Sequence, residues 1–450
     1  MPGGAIALII IGIIIIGAIY TRRCVEFLLL GSFLGAIALY KGSALPQWCN
    51  ILVGVVADNA WLWLVCGLFG SLIALLQASK GTFGFSKIIS RICTNDRRTL
   101  FTSFILGLLL FVDDYLNVLT IGVCMKGVYD RRKLPRESLA FILNSTGAPV
   151  CVLLPVSTWA VFFGSLFYEE EVISSQYASG IDAYIHAIPF CFYPIIALII
   201  VALFTLGIFP KLGAMKRAYQ RVAETGKVYS DASKRFNHEE RGGYEGEGNV
   251  WNFLVPMLVL VAVGVITTDI LLAVVVALAV CLIMYLPAKR MTMEEFFNLM
   301  VAGFCDMMPI FFMLVGAFTL KEVCDLLHLT EFLVLLVQPI LSPNLFPMAA
   351  FLLLGLLAFV TGSNWGMSAV VTPILLPMCT ALGANPVLTM AAIISGGTFG
   401  SHACFYTDAT ILAANSAGID NMEHALSQLP YVAIAASLST VAFLIAGFVL

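Results

Sequence analysis

The sequence predicts an all-α polytopic membrane protein made of two inverted repeats. Each repeat is expected to hold a re-entrant helical hairpin and a broken transmembrane helix. Three observations carry this prediction. First, 60% of the 450 residues are apolar and 11% charged, where soluble domains carry about 25% charged residues. Apolar runs of spanning length recur, without the short alternating segments of a β-barrel. Second, basic loops return at intervals that fix which runs cross. Third, a set of residue words recurs at one spacing. The expected layout is a scaffold bundle beside an elevator-type transport bundle.

The elements follow in order. Met-Pro-Gly-Gly lacks a basic leader, so Ala5–Tyr20 reads as a first span rather than a cleaved signal. Arg22 and Arg23 put its far end in the cytoplasm. Val25–Tyr40 returns, closing a two-helix unit over 1–46. Ala60–Ala78 comes back in, and the stretch from Lys80 to Arg98 is basic and cytoplasmic. The run Leu100–Cys124 suffices for one span, yet Lys126, Arg131, Arg132, Lys133 and Arg136 follow it. Two full spans would need about 40 residues. A re-entrant hairpin over 100–125, with its tip at Asp113–Asp114, satisfies both ends. Non-helical backbone at that depth must face protein or water.

The next helix, 138–167, is interrupted at Asn144-Ser145-Thr146-Gly147-Ala148-Pro149, where Gly and Pro free backbone carbonyls. It exits at Glu169–Glu171, and Ala187–Phe209 returns inward, closing a first repeat over 47–210. Residues 211–250 read as a polar, flexible cytoplasmic loop. Two spans fill 251–288. A second repeat over 289–450 carries a hairpin at 346–380 and a broken helix at 386–416.

The repeat is visible in the residues. Gly107-Leu108-Leu109-x-Phe111-Val112 returns as Gly355-Leu356-Leu357-x-Phe359-Val360. The same spacing brings Asp58 onto Asp306 and the acidic tip onto Thr361-Gly362. After a short insertion, Pro135 meets Pro386, Asn144-Ser145 meets Ser395-Gly396, and Ser157 meets Asp408. Units entering from opposite sides are inverted copies, as in secondary transporters whose sites lie between broken helices.

Charge at membrane depth is costly and marks function. Asp113 and Asp114 cannot both be charged and unpaired: either a cation lies between them or one keeps a proton. Asn117, one turn from Asp113, could add a neutral oxygen. Asn144, Ser145 and Thr146 offer oxygens beside freed carbonyls, suited to a hard cation or to a substrate. A Na⁺ site would draw on Asp113, Asn117 and Asn144. The neutral tip Thr361-Gly362-Ser363-Asn364 could hold an ion by dipoles or present N–H groups to an anion. Asp408, with His402 a turn and a half earlier, could form a proton relay. Twelve cysteines stand singly with no Cys-x-x-Cys pair, so no zinc site or disulfide framework is expected.

At these words the chain resembles the NhaC-type sodium/proton antiporter family, of the larger ion transporter superfamily. The carrying stretches are Phe111–Asn117, Asn144–Cys151 with Pro155–Trp159, and Gly397-Thr398-Phe399-Gly400-Ser401-His402 leading to Thr407–Leu412. Gln428-Leu429-Pro430-Tyr431 follows. The resemblance covers about 50–440 and implies exchange of Na⁺ for H⁺, with Thr398 and Ser157 joining the site. Some relatives are thought to couple that exchange to organic anions or amino acids. Relatives commonly carry an acid after the glycine matching Gly400, and a Ser-Pro pair before the acid matching Asp408. Here Ser401 and Ala403-Cys404-Phe405-Tyr406 stand instead, which removes one carboxylate from the site and lowers its cation charge count.

The expectation is therefore an electrochemically driven Na⁺/H⁺ exchanger in the bacterial cytoplasmic membrane. Its rival is a Na⁺- or H⁺-coupled carrier of a small organic acid or amino acid on the same fold. No nucleophile–base motif points to an enzyme and no Gly-rich phosphate loop to ATP drive. No cofactor is expected, and no nucleic acid. The partners are Na⁺, H⁺ and the lipid bilayer. Fold analogy with elevator-type transporters adds a homodimer as a candidate assembly.

Overall fold

The computed structural model describes residues 2–21, 24–81, 84, 91–111, 114–155, 157–237, 249–267, 269–329, 332 and 342–450. Among the described residues the protein is all-helical, with no strand. Helices α1 (Pro2–Thr21), α2 (Cys24–Tyr40), α3 (Ala44–Asp58) and α4 (Ala60–Ala78) open the chain. Next come α5 (Asp96–Leu109) and α6 (Asp114–Arg132), followed by α7 (Arg136–Thr146), α8 (Ala148–Cys151) and α9 (Thr158–Tyr168). Then α10 (Glu171–Ser174), α11 (Gly180–Ala187) and α12 (Phe192–Thr205) lead to α13 (Gly213–Thr225). The second half runs α14 (Trp251–Thr267), α15 (Ile270–Tyr285), α16 (Met293–Asp306) and α17 (Met308–Leu326). It ends with α18 (Phe346–Thr361), α19 (Asn364–Leu382), α20 (Pro386–Ala403), α21 (Asp408–Ala417) and α22 (Asn421–Val449).

The two halves break at matching places. Asp58 ends α3 and Asp306 ends α16, each with a single residue between it and the next helix. Helix starts at Asp114 and Asn364, Arg136 and Pro386, and Thr158 and Asp408 keep one constant spacing, so Asp114 answers to Asn364 rather than to the Gly362 read from the sequence, while the later breaks fall within one residue of the reading. Pro386–Ala403 and Asp408–Ala417 are bent by 45° across their break. At the second hairpin, Gly362 has φ +67°, with the Tyr406 ring 3.0 Å from where a Cβ would stand. Only glycine makes that left-handed turn without strain.

Two packing groups result. α1–α4 and α14–α17 pack mainly on one another. α5–α9, α11–α12 and α18–α22 form the other group. Across the seam α17 touches α18 and α21, and α14 touches α6. Each half thus contributes its first four helices to one group and its hairpin and broken helix to the other.

The stretch after α12 departs from the expected flexible loop. Met215, Ala218 and Val222 are buried on one face of α13, a spacing of three and four that makes an amphipathic helix. α13 lies on α22 and α7, and ion pairs hold the segment down. Arg221 grips Glu137 through two bonds of 2.7 and 3.0 Å. Arg235 pairs with Asp420 at 2.6 Å, and Ser233 donates to Glu423 at 2.6 Å. Asn237 donates to the Gly418 carbonyl at 2.7 Å and accepts from Arg136. Two of the segment's basic residues, Arg221 and Arg235, are thus spent on buried acids.

Candidate functional site

The site is assembled where α6, the α7–α9 break and the α20–α21 break meet. Asp113 lies outside the described residues. Asp114 opens α6 and is 5% exposed. Its Cβ is 3.7 Å from where a Gly147 side chain would begin, so the carboxylate-bearing turn packs against the first break. A negative charge at a helix start is favoured by the helix dipole.

Asn117 holds that break in shape. Its Nδ2 donates to the carbonyls of Gly107 at 2.7 Å, Leu110 at 2.9 Å and Thr146 at 3.1 Å. These are carbonyls that the ends of α5 and α7 leave without helical partners. Three acceptors fix the amide's orientation, and the buried Asn117 Oδ1 carries no hydrogen bond.

The second acid comes from the other half. Tyr115, next to Asp114, donates its hydroxyl to Asp408 Oδ2, while Asp408 Oδ1 accepts from the Ala409 N–H at 2.8 Å. This bond joins α6, one residue from Asp114, to α21. Tyr115 also lies against Trp61 of the other packing group, ring centroids 6.2 Å apart.

Asn144 and Ser145 enter a buried polar network that sequence reasoning missed in part. Asn144 Nδ2 donates to Gln428 Oε1 at 3.0 Å and Thr410 Oγ1 at 3.3 Å, and stands 3.2 Å from His424 Nε2. Gln428 Nε2 donates to the His402 carbonyl at 2.7 Å. His402 itself is held between Ser145 Oγ at 3.2 Å and the Tyr193 hydroxyl at 2.9 Å. His402 therefore faces Ser145 and Tyr193 in the bundle core. His424 and Tyr193 were not singled out from the sequence. Their one signal was polar groups on otherwise apolar helices.

Other expected site residues serve the backbone. Ser157 caps α9 by accepting from Ala160 N at 3.1 Å and donates to the Cys151 carbonyl at 2.7 Å. The hydroxyls of Thr146, Thr361 and Thr398 each donate to the carbonyl four residues back. Ser363 caps α19. Asn364 Oδ1 accepts from Ser368 at 3.1 Å, and its buried Nδ2 has no hydrogen bond. Lys321 Nζ reaches within 3.4 Å of the Gly366 Cβ position in the first turn of α19 and pairs with Asp325 at 3.4 Å. Trp365 packs on Trp159, centroids 4.3 Å apart, tying the second hairpin to α9. Among the described residues no three His, Cys, Asp or Glu side chains gather as a metal cluster.

The family model described as the Na⁺/H⁺ antiporter family matches residues 150–448. The chain belongs to the Na⁺/H⁺ antiporter family. It is a membrane protein of a cation/H⁺ antiporter family. The matched stretch includes the second hairpin, His402 and Asp408 and begins beyond Asp114. A Haemophilus influenzae protein described only as uncharacterized is 26% identical over 96% of this chain and 89% of its own length. An uncharacterized Na⁺/H⁺ antiporter of the same organism is 30% identical over 19% of this chain and 18% of its own. The malate-2H⁺/Na⁺-lactate antiporter of Bacillus subtilis is 28% identical over 24% of this chain and 23% of its own. The crystal structure of the Alcanivorax borkumensis YdaH transporter, 14% identical, covers 92% of this chain and 90% of that chain at a TM-score of 0.33.

Proposed function

We propose that this antiporter exchanges Na⁺ for H⁺ across the bacterial cytoplasmic membrane, one occupant at a time, at the acidic tip of its first hairpin. The observation that carries the reading is Asp114. It is 5% exposed, set at the break of two helices beside Gly147, with the unspent Asn117 oxygen one turn along. Burial raises the cost of a bare carboxylate charge, which a bound cation or a proton relieves. Competition for that one role exchanges the two without a second site. Asp408, held by Tyr115, serves as the second acid. Alternating access follows if the packing group with the hairpins and broken helices moves against the other as the transport bundle, the repeats dividing at 47–210 and 289–450. A homodimer built on the scaffold group fits such motion.

The test uses the full chain in proteoliposomes with an imposed pH gradient. A Na⁺ pulse dissipates the gradient with no organic solute present, and Asp113→Asn/Asp114→Asn abolishes this with folding retained. Wild-type exchange in that double variant removes the hairpin acids from the mechanism.

One observation favours a second reading, Na⁺- or H⁺-coupled carriage of a small organic acid or amino acid. Lys321 stands beside the N-terminus of α19, where helix dipole and amine together suit a carboxylate. The malate- and lactate-carrying relative supports it. Exchange that requires malate, lactate or an amino acid selects this reading.

A further inference from the structure

Buried threonines in this protein's helices have a habit. The hydroxyl donates to the carbonyl one turn back, at 2.8 Å for Thr146 and Thr361, 2.6 Å for Thr372, 2.9 Å for Thr389 and 2.7 Å for Thr398. That bond satisfies the hydroxyl inside an apolar helix. Thr120, in the middle of α6, breaks the habit. It is 4% exposed and its Oγ1 has no hydrogen bond. One turn earlier, Asn117 is 0% exposed, with Nδ2 spent on three carbonyls and Oδ1 without a partner.

Two buried oxygens left unsatisfied on one helix are costly. Residues three apart on a helix have Cβ atoms about 5–6 Å apart, so a single hard cation can touch both oxygens. Such cations take neutral hydroxyl and amide oxygens as ligands. We infer that Thr120 Oγ1 and Asn117 Oδ1 are neutral ligands of the transported cation, and that Thr120 sets its affinity. This rests on the exchange reading above. It adds a ligand that no motif in the sequence marks. It also explains why α6 keeps a hydroxyl that contributes nothing to its own helix.

The test compares Thr120→Val, which matches the shape without the oxygen, with Thr120→Ser, which keeps the oxygen. The full chain is purified and melted in NaCl and in choline chloride, and Na⁺-driven exchange is measured in proteoliposomes. In Thr120→Val the KM for Na⁺ rises about tenfold, the size of one charge-assisted contact, and the Na⁺-dependent rise in melting temperature shrinks. In choline chloride Thr120→Val melts at or above wild type, because a dry hydroxyl has been removed. Thr120→Ser restores Na⁺ affinity. A wild-type KM and Na⁺-dependent melting shift in Thr120→Val overturn the assignment. So does a Thr120→Val protein that melts well below wild type in choline chloride, since the hydroxyl would then be a structural group. If Thr120→Val behaves as wild type while Asp113→Asn/Asp114→Asn abolishes exchange, the ligand assignment falls and the exchange reading stands.

Discussion

Removing Arg221 tests how the segment after α12 is held. Glu137 sits in the first turn of α7 with its side chain 4% exposed, against 22% for Arg221. Both carboxylate oxygens are taken, at 2.7 and 3.0 Å. Breaking a buried pair from one side costs about 3–5 kcal/mol, chiefly by stranding the other charge. Arg221 is partly exposed, which puts the cost at the lower end, about 3 kcal/mol. The N-terminus of α7 still favours the stranded carboxylate by about 0.5 kcal/mol. Arg221→Ala should therefore lose roughly 2–3 kcal/mol, seen as a fall of about 5 °C in melting temperature for a large domain. Glu137→Gln in the Arg221→Ala background removes the stranded charge and recovers most of the loss. Thermal melts of wild type, both single variants and the double variant measure the coupling. Strictly additive losses, or an Arg221→Ala protein that melts with wild type, would refute the argument.

Asn117→Ala frees three carbonyls at the first hairpin and break, so it should cost about 2–3 kcal/mol of stability. Asn117→Leu, similar in size, should not restore it; a melting temperature equal to wild type in either variant counts against the bracing role. Asp408→Asn should shift the pH profile of exchange in proteoliposomes, since one of two acids stops titrating. An identical profile removes Asp408 from proton handling.

The helix breaks were legible because they rest on local rules. Gly147, Pro149 and Gly362 loosen the backbone wherever they stand, and the basic residues on both sides of Leu100–Cys124 allow few threadings. The repeat words located the second set. The docking of α13 was missed because residues 211–250 were weighed by polarity alone, although Met215, Ala218 and Val222 carried a helical period. The network around His402 was hidden for another reason. Asn144, Tyr193 and His424 meet only through tertiary packing, and no local pattern joins positions so far apart. Tyr115 was read as part of a motif, while its bond to Asp408 crosses from one half to the other.

The clasp between Asn144 and the pair His424 and Gln428 limits how the machine can work. Shearing α7 past α22 would leave amide, imidazole and carbonyl groups dry together, each costing about 1–3 kcal/mol. The same clasp holds α7 to α22, and the Asn144–Thr410 and Ser145–His402 contacts tie the second broken helix to α7. On the proposed alternating access, displacement would be taken up where α17 meets α18 and α21, where α14 meets α6 and where Trp61 meets Tyr115. At Trp61 and Tyr115 that seam is a contact of rings, which can slip without stranding polar atoms.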